Sequence, residues 1–242
     1  MIQRTDIIWL AEVDSTNRFA LDNFRWFESG TMIAASAQSA GYGTKGRAWL
    51  SPPDVNVYAS LVLRDFPFPV HSAARIGSLA VLRVLRMHEP GLPLSVKWPN
   101  DILCGHKKIA GVLCETRDNG LVIGIGININ MDREAALRAS SNATSLFIET
   151  GKRQPDVGIF VSELRNTALD LLEQARSKGD SELYEEWKSE NYLSGRSVSI
   201  RCPDQNTVSG LVVDFSPDGA IILVENPSGN IVEIRSGDLL GY

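Results

Sequence analysis

The chain has 242 residues, 43% of them hydrophobic and 22% charged, so it is long enough to bury a full core and has an ordinary globular composition. Its 24 basic and 29 acidic residues give a net charge of -5 with no block of like charge, which argues against a nucleic-acid partner. Three cysteines without C-x-x-C spacing argue against a disulfide framework and a zinc site and fit a cytoplasmic location. The charges at Arg4, Asp6 and Glu12 argue against a signal peptide, and the lack of a long apolar run argues against a membrane partner.

The first predicted elements are a strand and a helix separated by polar residues. The strand runs from Ile7 to Val13, and the helix begins at Ser15-Thr16-Asn17 and continues to about Glu28. A purely structural interpretation makes the Ser15 and Thr16 hydroxyls helix caps. The functional interpretation is that these hydroxyls and the free helix N-terminus face a polar group of a ligand.

A buried strand from Met32 to Ala37 leads into residues 38–49, which we call the glycine loop. It combines three glycines with Lys45, Arg47 and Trp49, so it offers backbone amides and cations to a phosphate or a carboxylate. Its glycine spacing matches neither a Walker P-loop nor the dinucleotide fingerprint. The alternative is a mobile connection without a ligand.

A central strand from Asn56 to Leu63 and an apolar helix from His71 to Met87 are predicted next. The helix is expected to pack beneath the sheet. The three histidines of the chain have no second histidine or carboxylate at metal-ligand spacing, so we interpret them as structural or solvated.

Two lysines surround a Trp-Pro-Asn-Asp turn in the stretch 96–111. Pro99 should end a strand at Lys97-Trp98 and place Asn100-Asp101 on the turn. A short strand from Leu103 and a returning strand from Lys107 to Glu115 would then bring Lys108 close to Asp101. The arrangement predicts an anionic ligand, and the alternative is a surface hairpin with solvated charges.

The second half of the chain supplies one more strand, two helices and a set of short strands. Residues 120–130 read as a strand whose glycines allow close approach of a ligand or of another backbone, and Asn128 has a donor and an acceptor for a base edge. Helices are predicted over 156–175 and 181–192. Beyond Gly195, four short strands separated by Pro-Asp-Gly and Pro-Ser-Gly turns indicate a small SH3-like β-barrel.

Five motifs in this order resemble those of the biotin protein ligases. They cover nearly the whole chain, and K-W-P-N-D followed by K-x-x-G at this distance is the most specific part. The resemblance implies an α+β fold, with a mixed-sheet, class II synthetase-like biotin/lipoate ligase catalytic domain over residues 1–193 and the SH3-like domain over residues 194–242. The motifs are Ser15-Thr16-Asn17, Gln38 with the glycine loop, Lys97-Trp98-Pro99-Asn100-Asp101, Lys108-Ile109-Ala110-Gly111 and Gly124-Ile125-Gly126-Ile127-Asn128.

The resemblance also implies a reaction in two steps. Biotin would attack the α-phosphorus of ATP to give biotinyl-5'-AMP, and a lysine of a biotin carboxyl carrier domain would then take the biotin. Mg²⁺ would arrive with ATP, and no metal site in the chain itself is implied. The implied catalytic residues are Lys108, Arg47 and Lys97. The implied biotin-binding residues are Ser15, Thr16, Asn17, Gln38, Gly41, Tyr42, Gly43, Thr44, Lys108, Gly111 and Gly126, and the implied ATP-binding residues are Lys45, Arg47, Trp49, Lys97, Asn100, Asp101 and Asn128.

Two positions of the glycine loop depart from the family pattern. Tyr42 and Thr44 stand where members commonly carry arginines. The Thr44 hydroxyl cannot make the charge-assisted hydrogen bond that an arginine would make at this position. We therefore expect faster loss of the adenylate than from an arginine-bearing relative, with Lys45 and Arg47 as the compensating cations. Because the first catalytic strand begins at about Ile7, we expect no DNA-binding winged helix, whereas a homodimer formed through the sheet edge is compatible with the resemblance.

Two other functions are compatible with the same fold. A lipoate or octanoate transferase would act on a similar carrier lysine, but its usual R-R-x-x-G-G-G-x-V-x-H-D pattern is absent. A non-catalytic module that binds carrier domains should have lost the phosphate-facing lysines. Lys97 and Lys108 are both present, which favours an enzyme.

Overall fold

A mixed sheet forms the larger part of the structure, a computed structural model that describes residues 7–242. Its order is β1-β2-β3-β7-β6-β5-β4, with β1 and β2 parallel and all other neighbours antiparallel. The strands are β1 (Ile7–Val13), β2 (Met32–Gln38), β3 (Val57–Leu63), β4 (Leu94–Lys97), β5 (Asp101–Cys104), β6 (Lys107–Arg117) and β7 (Gly120–Ile127).

The helices lie on the two faces of this sheet, which follows from the alternation of its strands. Met32, Leu61 and Ile123 point into the main core, where the two long apolar helices α2 and α5 pack. Their neighbours Ile33 and Val62 point to the opposite face, against the short helix α1. The helices are α1 (Thr16–Asp22), α2 (Val70–His88), α3 (Arg133–Ala139), α4 (Leu146–Thr150), α5 (Val157–Lys178) and α6 (Ser181–Ser189).

The face that carries α1 is unusually flat beside the helix. Gly126 pairs with Gly111 on β6 and with Tyr58 on β3, and Gly124 pairs with Leu113 and Ser60. Because side chains alternate between the two faces of a strand, Gly111, Gly124 and Gly126 all lie on this face and leave it without side chains there. We call this part of the sheet the flat region, and other groups can approach its backbone closely. The candidate site lies over this region.

A second, five-stranded sheet follows α6, and all its neighbouring strands are antiparallel. Its buried residues continue the main core, because Phe215 packs edge-on against Trp187 of α6 with ring centroids 5.3 Å apart. The strand order is β11-β10-β9-β8-β12, with β8 (Ser197–Arg201), β9 (Thr207–Phe215), β10 (Ile221–Glu225), β11 (Ile231–Ile234) and β12 (Asp238–Gly241).

The α+β fold with a mixed sheet and a second antiparallel sheet confirms the expected fold class, but several predicted boundaries were wrong. The strand predicted over 120–130 ends at Ile127, and the helix predicted over 181–192 ends at Ser189. The first helix ends at Asp22 instead of about Glu28, because Asn23 caps it: its side-chain amide donates to the Phe19 carbonyl at 2.9 Å. A 3₁₀ turn, Phe24–Trp26, follows. Strand β5 begins at Asp101 instead of Leu103, because the turn is tight enough for Lys97 to pair with Asp101.

Three elements were not predicted: α3, α4 and β12. Both helices have a capping side chain, since the Asp132 carboxylate accepts from the Ala135 amide at 2.9 Å and the Ser145 hydroxyl accepts from the Ile148 amide at 3.1 Å. They are too short to show a clear helical period. Among residues 7–242, no helix has both the length and the apolar character that crossing a membrane requires.

Candidate active site

A cleft opens between the start of α1, the glycine loop and the flat region of the sheet. It gathers all but one of the residues predicted to bind biotin. The exception is Gly41, where an added Cβ would lie 2.7 Å from both Gln38 Nε2 and Ser51 Oγ, so this glycine supports the wall from behind. The predicted residues that line the cleft are Ser15, Thr16, Asn17, Gln38, Tyr42, Gly43, Thr44, Lys108, Gly111 and Gly126.

The start of α1 serves the helix and the cleft at once. The Ser15 hydroxyl accepts from the Arg18 amide at 3.5 Å, so the capping interpretation holds, yet Ser15 also lines the cleft. The Thr16 amide donates to Gln38 Oε1 at 2.9 Å. This bond fixes the orientation of the Gln38 side chain against the helix N-terminus.

The glycine loop closes on itself through backbone bonds. Tyr42 bridges to Ala48, and the Gly43 amide donates to the Arg47 carbonyl at 2.8 Å. Lys45 occupies the left-handed region with φ of 59°. The loop therefore adopts a defined turn closed by its own backbone hydrogen bonds.

Trp49, at the end of the loop, lies across the flat region of the sheet. A Cβ added to Gly126 would meet the indole at 2.5 Å, and one added to Gly111 would meet it at 3.3 Å. These are the two glycines that we expected to accommodate biotin. The indole nitrogen is buried and has no hydrogen-bond partner within the described residues, and the Lys108 ammonium lies 5.2 Å from the ring centroid.

Lys108 is anchored on both sides by the segment that follows α3. Its amide donates to the Asn142 carbonyl at 2.7 Å, and its carbonyl accepts from the Thr144 amide at 2.8 Å. Its Nζ lies 2.5 Å from Asp101 Oδ1, which confirms the predicted proximity of these two residues. The side chain is 33% exposed, so the ammonium is accessible from the cleft.

Besides Asp101, three side chains of the K-W-P-N-D motif contact other parts of the chain. Lys97 lies over the Tyr242 ring at 4.4 Å from its centroid, and the Trp98 indole donates to the Gly219 carbonyl at 2.8 Å. The Asn100 side-chain amide donates to the Val112 carbonyl. This contact gives Asn100 a structural part in the turn, beside the ATP contact that we predicted for it.

The second sheet reaches the glycine loop through one carboxylate. Asp238, at the start of β12, lies 2.8 Å from Lys45 Nζ and 2.9 Å from Arg47 Nη2. The Lys45 ammonium, followed by Arg47 and Arg201, lowers the pKa of Asp238 below its ordinary value. The cations predicted to compensate for Thr44 are thus already paired with Asp238.

The residues predicted to bind ATP divide among neighbouring clefts. Trp49, Asn100 and Asp101 line the main cleft, whereas Lys45, Arg47 and Lys97 lie along a second cleft between the two sheets. Asn128 is buried, yet it borders a third cleft that Arg47, Trp49 and Lys97 also line. Its side-chain amide donates to the Thr144 carbonyl at 2.9 Å. Within the described residues, no three His, Cys, Asp or Glu side chains form a group that could hold a metal ion.

Four residues of the site were missed from the sequence: Ser60, Glu115, Asp238 and Tyr242. Only Glu115 had a local signal, because the strand period places it on the same face of β6 as Gly111. Ser60 reaches the site by pairing with Gly124, which depends on strand register. The Tyr42 hydroxyl donates to Glu115 at 2.8 Å. Burial, together with this bond to Glu115, raises the pKa of Tyr42 to about 12. Asp238 and Tyr242 had no local signal.

Similar proteins share the fold and much of the length of the chain. A family model for the biotin/lipoate A/B protein ligase family matches residues 9–132. The chain is 31% identical to the bifunctional ligase/repressor BirA of Escherichia coli over 95% of this chain and 74% of that one. It is 27% identical to the biotin--[acetyl-CoA-carboxylase] ligase of Mycobacterium tuberculosis over 87% and 79%. The structure of the Aquifex aeolicus biotin protein ligase in complex with biotin and ATP superposes with a TM-score of 0.83, at 30% identity over 97% of both chains.

Proposed function

Because the chain belongs to the biotin/lipoate A/B protein ligase family, we propose that it is a biotin protein ligase, which activates biotin with ATP and transfers it to a carboxylase. The resemblance to biotin protein ligases is thereby confirmed. The observation that carries the function is the position of Lys108, which points into a cleft lined by Thr16 and Gln38. One ammonium thus stands beside a polar pocket that suits the ureido end of biotin.

The first step joins two anions, so the chain must neutralise charge and hold both reactants in place. A carboxylate oxygen of biotin attacks the α-phosphorus of ATP, the bond from that phosphorus to the bridging oxygen breaks, and pyrophosphate leaves. We assign to Lys108 the contact with both the carboxylate and the α-phosphate, and its position in the cleft supports this role. A protein nucleophile is not required, because the biotin carboxylate itself attacks.

The second step forms an amide. The ε-amine of a lysine attacks the carbonyl carbon of biotinyl-5'-AMP, the carbon–oxygen bond to the phosphate breaks, and AMP leaves with the electron pair while the amine loses a proton. We propose that this lysine belongs to a biotin carboxyl carrier domain. The names of the Mycobacterium tuberculosis and Paracoccus denitrificans relatives, which are acetyl-CoA-carboxylase ligases, support this choice.

The nucleotide would bind between Trp49 and the cations near the second sheet. The buried, unpartnered Nε1 of Trp49 and the cations Lys45, Arg47 and Lys97 support this placement. Mg²⁺ would enter as part of MgATP. Asp101 offers the carboxylate oxygens within the main cleft that suit such a hard cation.

Further parts of the proposal concern the organisation of the protein. A division into residues 1–193 and 194–242, the second of them SH3-like, is supported by the change of sheet between α6 and β8. Three cysteines without a disulfide support a cytoplasmic location. A homodimer formed through the sheet edge is supported by the unequal pairing of β6. The strand pairs with β7 as far as Arg117, but it pairs with β5 only as far as Gly111, so the rest of its β5 side has no strand partner among the described residues.

The function is tested by pyrophosphate release from ATP with biotin, lipoate, octanoate or no acid, followed by transfer to a carrier domain. We expect release that depends on biotin alone, and labelling of the carrier lysine. Release with lipoate or octanoate instead would assign the chain to a lipoate or octanoate ligase. No release with any acid would contradict the enzyme and favour a module that only binds carrier domains.

A further inference from the structure

Behind the polar wall of the cleft, a chain of hydrogen bonds leads from Glu115 to Thr16. Asn17 Nδ2 donates to Glu115 Oε2 at 2.7 Å, on the oxygen that also accepts from Tyr42. Ser60 Oγ lies 2.7 Å from Asn17 Oδ1 and 2.8 Å from Thr16 Oγ1. Thr16 and Asn17 line the cleft, whereas Ser60 is fully buried behind it.

The direction of every bond in this chain follows from Glu115. An ionised carboxylate only accepts hydrogen bonds, so the side chain of Asn17 must turn its NH₂ group toward it. The Leu113 carbonyl, 3.5 Å from the same nitrogen, is a second acceptor that favours this orientation. Asn17 therefore presents its oxygen, and only its oxygen, to Ser60.

Ser60 has a single hydroxyl proton, and Asn17 Oδ1 takes it. Ser60 thus has no proton left for Thr16, although the two hydroxyl oxygens are only 2.8 Å apart. Thr16 must supply the proton of that bond or donate to Gln38 Oε1, which lies 3.1 Å away. In both cases Thr16 Oγ1 receives no proton from the protein interior, so it is left to accept one from the cleft that Thr16 lines.

Gln38 is held in the matching orientation from the other side. Its Oε1 accepts from the Thr16 amide, and its Nε2 donates to Ser51 Oγ at 2.9 Å. Ser51 passes its own proton to the Trp49 carbonyl at 2.9 Å. The Gln38 oxygen, not its nitrogen, therefore stands next to Thr16 at the wall.

We propose that Glu115 is a positioning residue that determines substrate specificity: by fixing the bond directions through Asn17 and Ser60, it makes the wall at Thr16 an acceptor surface for ureido N–H groups. The inference rests on the proposed function, because the ureido ring of biotin supplies those N–H donors. Octanoate and lipoate carry no N–H donor at that end and would leave buried acceptors unpaired, which is a strong basis for rejection.

Glu115→Gln tests the inference because it keeps the shape and removes the fixed direction. The new side-chain amide can donate to Asn17 Oδ1 once the Asn17 amide turns over. Asn17 then donates to Ser60 and Ser60 to Thr16, whose own proton goes to Gln38 Oε1, so Thr16 Oγ1 is already occupied and accepts poorly from the cleft. We expect the KM for biotin to rise about tenfold or more, with the KM for ATP unchanged, since an unpaired buried group costs about that much in affinity. Glu12→Gln, an exposed change of the same type on β1, is the control.

A double variant separates bond direction from simple structural damage. In Asn17→Asp/Glu115→Gln the two functional groups are exchanged, so the amide at position 115 donates to the carboxylate at position 17, and that carboxylate again accepts from Ser60. We expect the KM for biotin to return to within about threefold of the wild-type value, because the direction at Ser60 is restored. A biotin analogue methylated on one ureido nitrogen should lose less affinity, relative to biotin, in the Glu115→Gln variant than in the wild-type protein.

The outcomes are distinct. An unchanged KM for biotin in Glu115→Gln, in a wild-type protein that does release pyrophosphate with biotin, would overturn the inference and leave the proposed function standing. A double variant no better than the Glu115→Gln single variant would also overturn it, because damage would then explain the loss. If the wild-type protein shows no biotin-dependent release, the proposed function fails and the inference with it.

Discussion

Lys108 Nζ lies 2.5 Å from Asp101 Oδ1 across the β5–β6 hairpin, so the ammonium that faces the cleft is held by a carboxylate of the K-W-P-N-D motif. The ion pair fixes where the lysine charge lies before any anion arrives. It explains why the spacing between this motif and K-x-x-G matters, since the hairpin register brings the two residues together. The lysine is positioned by the same turn that presents Asp101.

Replacing Lys108 with alanine should abolish most of the activity without unfolding the protein. The variant removes the cation that offsets repulsion between biotin and ATP, and we expect biotin-dependent pyrophosphate release to fall by about 10²- to 10³-fold. Lys107→Ala is the matched control, because Lys107 is the adjacent lysine, 54% exposed and 3.7 Å from Glu149. A fully active Lys108→Ala protein, or an equal loss in both variants, would refute the assigned role.

Gly126→Ala should displace Trp49 from the sheet. The new Cβ would lie 2.5 Å from the indole, closer than such contacts occur, so the ring must move. We expect a change in tryptophan fluorescence, weaker binding of biotin and ATP, and destabilisation of about 1–3 kcal/mol in urea unfolding. Gly91→Ala introduces the same methyl group where no atom lies within 4 Å and should behave as wild type. Unaltered fluorescence and affinity in Gly126→Ala would show that the contact has no consequence.

The local parts of the fold could be predicted from the sequence, whereas contacts between distant segments could not. The apolar run of β3 and the turn at Pro99 each carry their own signal, so the strands were found, although β5 was placed two residues late. The pairing of Asp238 with Lys45 and the bond from Trp98 to Gly219 depend on how the second sheet docks, which no local pattern encodes. The side chains of Ser60, Asn17 and Glu115 likewise meet only through strand register.

Trp98→Phe should weaken the attachment of the second sheet to the catalytic motif. Trp98 is almost fully buried, and the variant leaves the Gly219 carbonyl without its 2.8 Å donor. The expected loss in free energy of unfolding is about 1–3 kcal/mol, measured by urea denaturation. Trp26→Phe, at a position that is 71% exposed, is the control and should stay within about 0.5 kcal/mol of wild type. Equal losses in the two variants would contradict an anchoring role.

Thr44→Arg should slow the escape of biotinyl-5'-AMP. Thr44 lines the main cleft and the cleft between the sheets, so a guanidinium there would reach anionic groups in either one. A charge-assisted hydrogen bond in place of a neutral one should slow release about tenfold in a chase with unlabelled biotin and ATP. Thr44→Val lacks both hydroxyl and charge, and its release should be no slower than that of wild type. Unchanged or faster release from Thr44→Arg would show that a cation at this position does not retain the adenylate.

Asp238→Asn should increase the apparent affinity for ATP, because Lys45 and Arg47 lose the carboxylate that competes with phosphate. Both cations are more than half exposed, so we expect a modest fall in the KM for ATP of about two- to fivefold at low salt, and this effect should shrink as salt screens the charges.

The pH dependence of this effect follows from the pKa of Asp238, which Lys45, ahead of Arg47 and Arg201, holds below its usual 3.8. A carboxylate with a depressed pKa keeps its contacts above that value and loses them as the pH falls through the lowered pKa. The difference between variant and wild type should therefore be constant from about pH 5 to pH 8, as far as Asp238 is concerned. A raised KM for ATP in Asp238→Asn would mean instead that Asp238 holds the two cations in the position that ATP requires.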